Sequence, residues 1–519
     1  MLEPMVGMFR GLRDTILGSK SVKNVIWNLL GGFYAGILIV VATPMYVSHL
    51  GLEGYGILGL WLMMQVMMGL LDVGMGATLV KEFANSKNDR EGQEVKRDLL
   101  RTLEIVYWIV AMLLCLGLAL GSGPIASHWL KSHTLSDAYL SRAIRLMAVT
   151  LGLQFPCVLY TNGLAGLQKH GRMNALQIMG NTLRYGLGVA VLVWRADLVW
   201  FFTVQAVVAA LQTFAIRWVL WRMISDEVTQ PPAFRKEVFE RVWRFSLGMA
   251  ATSIASVLVG NADRIALSKM LPTAELGKYA VAFTATGLLQ MGIQPFYRAF
   301  FPRYAELVSL GDAQRLREEY FRSCKLMAAF ILPLGILGLI FAPQLFHDWL
   351  GRDDRTIVEV FRFLLVAITC SGLMWLPAAY MQAHGRPVLH ATMIAGALVL
   401  GVPVMIWAIR TYGTVGATAV WLLHGVSGLT LELWLMHRWL LVGDLARWYR
   451  SILAQPLLIT LPLAGVSWWL MPVGLGRGGS LCWIGFTGLF VVAVLLYFNL
   501  NQARLDTPRG LSDLPGGCS

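Results

Sequence analysis

Five arginines lie inside otherwise apolar stretches of this chain: Arg145, Arg184, Arg264, Arg298 and Arg362. On insertion scales an arginine at the centre of a membrane helix costs about 2.5 to 3.5 kcal/mol, so each must face protein, water or an anion. Arg264 belongs to a run in which Ser253, Ser256, Gly260, Arg264 and Ser268 recur at spacings of three and four, which is one face of a helix. Gln290, Gln294 and Arg298 step four at a time and make a second ridge. Ser and Gln also serve as hydrogen-bond glue between helices. The arginine in each stripe favours the lining of a water-filled cavity. Arg184 stands about 13 Å into its stretch at 1.5 Å per residue, too deep for easy snorkelling. Arg145 and Arg362 lie near the outer ends of theirs, where snorkelling suffices.

Three acids share the apolar stretches with them: Asp72, Asp263 and Glu432. Five arginines against three acids leave a cationic excess, which attracts an anion; a pyrophosphate carries about the opposite charge. Asp263 with Asn261, and Asp72, are candidates for H+ or Na+ coupling, although Asp263 reads equally well as half of a buried salt bridge. Asp263 and Arg264 are sequence neighbours and so point about 100° apart on a helix. No cofactor is expected. Gly474-Leu475-Gly476-Arg477-Gly478-Gly479 lacks the Lys-Ser/Thr of a phosphate-cradling loop, which speaks against direct use of ATP. The six cysteines are scattered without Cys-x-x-Cys spacing, the histidines include no His-x-x-x-His pair, and no metal site is expected.

The elements that must position these side chains follow from composition. At 56% hydrophobic and 14% charged over 519 residues, with a mean hydropathy of +0.61, the chain makes no soluble surface; it reads as a polytopic membrane protein. About fourteen apolar spans recur, near 24–48, 55–80, 104–123, 143–165, 175–195, 198–221, 245–270, 276–302, 326–346, 360–382, 388–409, 414–436, 452–472 and 480–500. Each must be a helix, because backbone groups in hydrocarbon need partners within their own segment. The fold class is therefore all-α. The first span is too long for a signal-peptide core and lacks a small-residue cleavage site before Gly51, so it is expected to stay as the first helix.

The spans are internally duplicated. Gln168-Lys169-His170-Gly171-Arg172 returns as Gln382-Ala383-His384-Gly385-Arg386, Arg145-Leu146-Met147-Ala148-Val149 parallels Arg362-Phe363-Leu364-Leu365-Val366, and Pro124 with His128 parallels Pro343 with His347. These echoes keep one order and an offset of about 214 to 220 positions, the register of a six-helix repeat. Residues 1–222 are expected to form a first lobe, 223–442 a second, and 443–519 two added helices with a tail. Lys and Arg fall with about 29 on one side and about 9 on the other. The basic side takes the N-terminal segment, the stretch from Lys81 to Arg101, the linker from Arg217 to Arg244 and the stretch from Arg303 to Lys325. Both termini are thus expected in the cytoplasm. The net charge of +13 is explained by basic loops facing an anionic leaflet, without nucleic acid.

Leu50-Gly51-Leu52-Glu53-Gly54-Tyr55-Gly56, followed by Leu71-Asp72-Val73-Gly74-Met75-Gly76 and Lys81, resembles the start of Wzx-type polysaccharide flippases. Asp263-Arg264, then Leu276-Gly277-Lys278-Tyr279 and Pro295, resembles the matching part of their second half. The resemblance spans roughly residues 20 to 440 and points to the multidrug, oligosaccharidyl-lipid and polysaccharide exporter superfamily. It implies two six-helix lobes alternating access to a central cavity in a bacterial inner membrane, and a polyprenyl-pyrophosphate-linked oligosaccharide as substrate. Arginines (Arg264, Arg298, Arg184) would hold the pyrophosphate. Gln290, Gln294, Ser253 and Ser256 would face the sugars, and polymerases and glycosyltransferases of one pathway would be partners. A cation-coupled multidrug exporter of the same superfamily is the second reading, and the arginine excess weighs against it. A membrane glycosyltransferase or ligase is the third; its one candidate stretch, His347 to Glu359, reads as a solvated mixed-charge loop.

Overall fold

The computed structural model describes residues 20–72, 74–86, 90–224, 231–237, 239–240, 260–385, 387–472 and 474–506. The first half contains α1 (Lys20–Asp72), α2 (Met75–Asn85), α3 (Arg90–Pro124, continued by a π-turn Ile125–Trp129), α4 (Asp137–Gly166), α5 (His170–Trp194) and α6 (Leu198–Ile224). There follow α7 (Ala262–Met270), α8 (Thr273–Ser309), α9 (Ala313–Ile340), α10 (Ala342–Leu350), α11 (Arg355–Leu373), α12 (Trp375–Ala383) and α13 (Pro387–Tyr412). The chain continues through α14 (Ala419–Ser427), a π-turn (Gly428–Glu432), α15 (Leu433–Leu440), α16 (Leu445–Trp448), α17 (Gln455–Leu470) and α18 (Arg477–Asp506). No strand occurs among the described residues. Nine stretches of helix there are long and apolar enough to cross a membrane. They are fewer than the fourteen expected spans because two runs take in two each, Tyr34–Gly69 the first and second and Val399–Leu440 the eleventh and twelfth, and the expected spans near 175–195, 245–270 and 276–302 are not among them, part of 245–270 lying outside the described residues. The protein is an all-α, multi-pass membrane protein.

The glycine motifs are joints. Gly51 sits at φ 68 inside α1 and divides it into two helices, a conformation that an L side chain adopts only with strain. Glu53 then accepts hydrogen bonds from the backbone N–H of His133 (2.9 Å) and Thr134 (3.1 Å) and from the hydroxyls of Ser132 (3.0 Å) and Thr134. Gly74, at φ 79, separates α1 from α2. Asp72 accepts from the N–H of Gly76 at 3.1 Å and from the hydroxyl of Tyr107, so this motif aspartate closes the start of α2.

The chain divides into two compact units, residues 1–284 and 285–519, so the division falls inside α8. In the first unit α4 is central, packed on α3 and α6, with Leu140, Ile144, Met147, Leu151, Phe155 and Leu159 buried at helical spacing. The unit extends past the sixth span because the start of α8 meets α1 backbone to backbone. A Cβ on Gly56 would lie 2.2 Å from the carbonyl oxygen of Thr273, and one on Gly277 would lie 2.0 Å from that of Leu52. Such small-residue seams are how helices approach closely in lipid. Tyr55 is buried on the same face and bonds both Thr43 (3.0 Å) and Thr284 (3.2 Å).

In the second unit α9 is the common wall. It packs on α11 and on both C-terminal helices: Ile336, Leu337 and Phe341 bury Ala464 of α17, and Ala329 buries Val491 and Leu495 of α18. Arg317 of α9 grips Asp444 through Nε and Nη2, both at 2.5 Å, which fixes the turn leading into those helices. The stretch from His347 to Glu359 is spent on its own folding. His347 meets Asp353 at 2.9 Å, Asp354 caps α11 by accepting from the N–H of Ile357, and Arg355 bonds Glu359 at 2.7 Å.

Candidate functional site

The second unit encloses a cavity of about 380 Å³. Its shape begins with Pro377, which has no N–H and whose ring excludes the helical position of the carbonyl four residues earlier. That residue is Leu373, where α11 ends. Met374 donates to Ser371 at 3.0 Å, three residues back rather than four, and α12 restarts at Trp375. The break leaves Ser371, Met374, Trp375, Ala378 and Gln382 along the cavity. From α8 come Gln290 and Tyr297, seven residues apart on one face. The Tyr297 hydroxyl donates to Gln382 Oε1 at 2.8 Å. Its ring stacks on Phe301 at 5.5 Å and meets Trp375 edge-on at 5.7 Å.

The opposite wall is a helix that changes pitch. His424, Gly428 and Glu432 face the cavity at steps of four, with Trp421 one turn earlier. Gly428–Glu432 is a π-turn, a form that concentrates at functional sites. Glu432, an acid recognised in the sequence, is 2% exposed. Three aromatic rings, two amides, a carboxylate, an imidazole and a hydroxyl therefore converge on one volume. Rings offer apolar faces and the polar groups offer both donors and acceptors, the pairing that a polyhydroxylated ligand needs.

Of the substrate-binding and coupling candidates that the described residues include, Gln290 lines this cavity. Gln294 and Arg298 are exposed next to each other, with Arg298 donating to Gln294 at 3.5 Å. In the first unit Arg264 is 11% exposed, its guanidinium 4.1 Å from the centre of the Phe283 ring and its Nε 3.9 Å from Asp263. Adjacent residues thus do meet, at the outer limit of an ion pair, and Arg264 Nε is buried with no hydrogen-bond partner among the described residues. Asp263 accepts from the Tyr279 hydroxyl, and Asn261 precedes α7 as its cap residue. Arg184 donates to Gln212 at 3.1 Å, while its carbonyl accepts from Gln205 at 3.0 Å. Ser253 and Ser256 lie outside the described residues. Arg145 bonds Ser141 at 3.2 Å, and Arg362 the carbonyl of Leu339 at 3.0 Å.

Sequence reasoning missed Tyr297, Trp375, Gln382, Trp421 and His424. The signal for the last was available, since a histidine between apolar residues four and eight positions ahead of a glycine and an acid shares their face. In the sequence Gln382 stands out only as the first residue of the repeated Gln-x-His-Gly-Arg echo.

Comparison with known proteins accords with this architecture. Residues 21–308 match the family described as polysaccharide biosynthesis protein, and the chain belongs to that family. A Shigella flexneri protein described as an O-antigen transporter is 23% identical over 424 residues, covering 80% of this chain and 98% of its own. The lipopolysaccharide biosynthesis protein WzxC of Escherichia coli (strain K12) is 22% identical over 382 residues, 72% of this chain and 76% of its own. Among solved structures, the lipid II flippase MurJ in an inward closed conformation superposes with a TM-score of 0.70 at 11% identity, over 92% of this chain and 100% of that one. An inward-facing multidrug resistance transporter of the MATE family gives 0.60 at 12% identity, over 82% and 96%. Both share the fold. The first covers a tenth more of this chain than the second.

Proposed function

We propose that the protein is a flippase that moves a polyprenyl-pyrophosphate-linked oligosaccharide repeat unit from the cytoplasmic to the outer leaflet of a bacterial inner membrane, by alternating access, for O-antigen, capsule or exopolysaccharide synthesis. The observation that carries the reading is the aromatic and amide-lined cavity inside a membrane-embedded helical unit, in a chain of the polysaccharide biosynthesis family. Sugars would stack on Trp375 and Trp421 and exchange hydrogen bonds with Gln290, Gln382 and Glu432. Arg298, exposed and held loosely by Gln294, is the donor best able to take the pyrophosphate. Arg264 and Arg184, each on the first unit, are the other arginines assigned to the pyrophosphate.

The lobes are assigned as residues 1–222 and 223–442 with 443–519 added, and both termini are assigned to the cytoplasm. Coupling to H+ or Na+ is assigned to Asp263, with Asn261, or to Asp72. Polymerase and glycosyltransferases of the same pathway are the partners such a substrate demands.

The test is reconstitution in vesicles with a fluorescent polyprenyl-pyrophosphate oligosaccharide and an impermeant quencher. The quenched fraction should change with time only where protein is present, and Trp375→Ala with Trp421→Ala should slow the change. Export of cationic dyes by the same vesicles, with no movement of the glycolipid, would overturn the proposal in favour of a multidrug exporter.

A further inference from the structure

We propose that the outer face of the first unit, between α3 and α6, is a binding site for an anionic phospholipid of the cytoplasmic leaflet. The phosphate would sit on Arg101 and Arg217, and one acyl chain would lie along Trp108, Met112 and Phe214. An open groove of about 420 Å³ runs there. On α3, Arg101, Glu104, Ile105, Trp108, Ile109 and Met112 recur at helical spacing and so share a face; Phe214 and Arg217 of α6 complete the groove. None of these residues belongs to the cavity of the second unit.

Glu104 organises the charged end. It is 2% exposed and accepts from Arg217 Nε (2.5 Å), the Tyr160 hydroxyl (2.6 Å), Arg101 Nη1 (3.1 Å) and Trp221 Nε1 (3.4 Å). One carboxylate neutralises one guanidinium, so the pair keeps a formal charge of about +1. The two arginine side chains are 42% and 37% exposed. A guanidinium carries five N–H donors, and the bond to Glu104 takes one from each. The result is a pair of forked donors set by a buried acid, the arrangement that suits phosphate oxygens.

The rest of the groove is apolar. Trp108 and Phe214 stack at 5.9 Å with 20° between planes, and Trp108 is held by its Nε1 donating to Tyr160 at 3.0 Å. Ile109, Met112 and Phe214 are exposed. From Arg101 to Met112 the helix rises about 16 Å, close to half of a hydrocarbon core of about 30 Å. One acyl chain of one leaflet has that length. The arginines lie at the end of α3 and α6 that the positive-inside rule assigns to the cytoplasm, where anionic lipids concentrate. Net positive charge at the mouth selects a phosphate without a compensating amine.

Native mass spectrometry of the detergent-purified full-length protein, with phosphatidylglycerol and phosphatidylcholine in competition, tests this. The wild type should retain phosphatidylglycerol with a preference of about fivefold for each unneutralised guanidinium. Arg101→Gln should erase most of that preference. Met112→Trp leaves every charge in place and obstructs the acyl path, so it should lower phosphatidylglycerol occupancy while the melting temperature without added lipid stays that of the wild type. Equal retention of the two lipids by the wild type, or an unchanged preference in both variants, would overturn the site. Displacement of phosphatidylglycerol by substoichiometric polyprenyl phosphate would also overturn it, by assigning the groove to a carrier lipid.

Discussion

The fourth span of each half starts and stops in the same way and differs in the middle. In the first half α4 opens on Ser136, whose hydroxyl accepts from the N–H of Tyr139, and runs unbroken to Gly166 despite Pro156. In the second half α11 opens on Asp354, whose carboxylate accepts from the N–H of Ile357, and α12 ends at Ala383, but the path breaks at Met374. Inside the unbroken helix Gln154 is closed off by Gln65 at 2.6 Å. Beside the break Ser371, Trp375 and Gln382 face open volume. The echoing sequences share their ends, and the difference in the middle separates a packed wall from a lined cavity.

Changes that exploit this contrast should differ in kind as well as in size. The largest effect is expected at Arg298: Ala should abolish translocation with the protein still present in the membrane, while Lys keeps part of it because a point charge replaces a fork. Loss of protein in the Ala variant, with normal activity per molecule, would make the arginine structural. Next comes the comparison of two buried acids. Glu104→Gln should lower stability by about 1 to 3 kcal/mol, the range for a buried hydrogen-bond partner of charged groups after allowing for the exposure of its arginines; thermal unfolding measures it. Glu432→Gln should leave the melting temperature near that of the wild type and slow transport.

Smaller again, Trp375→Ala should weaken glycan binding by about tenfold, taking an aromatic contact at about 0.5 to 1.5 kcal/mol beyond its area, as read by isothermal titration with the free oligosaccharide. The smallest change is expected at Gln154→Ala, about 1 kcal/mol of stability from a lost hydrogen bond, without effect on transport. A transport defect there would mean that the first unit's fourth helix opens during the cycle.

Much of the fold was legible because its causes are local. Apolar runs of about twenty residues give helices. Gly51 and Gly74 break them, and Pro377 marks Leu373 as an end four residues in advance. The echo around Arg145 and Arg362 placed the two fourth spans in register. The site was less legible because its partners are distant. Tyr297 meets Gln382 across 85 positions, and Glu104 meets Arg217 across 113. No periodicity links residues so far apart. On the polar stripe of α8 the first member, Gln290, faces this cavity, and a step of four then carries Gln294 and Arg298 to exposed positions. A helix turns about 400° in four residues, so a ridge drifts off any one surface within a few turns.

The close seam between Gly56 and Gly277 sets an order of events during synthesis. A ribosome that has released the sixth span has delivered 224 residues of the first unit, which ends at Thr284. Until α8 begins to enter the bilayer, the groove at Leu52 and Gly56 has no backbone to close it, and Tyr55 lacks the hydroxyl of Thr284. Completion of the first unit therefore waits on insertion of the eighth span. A fragment halted near residue 222 would be held by the membrane yet unfinished.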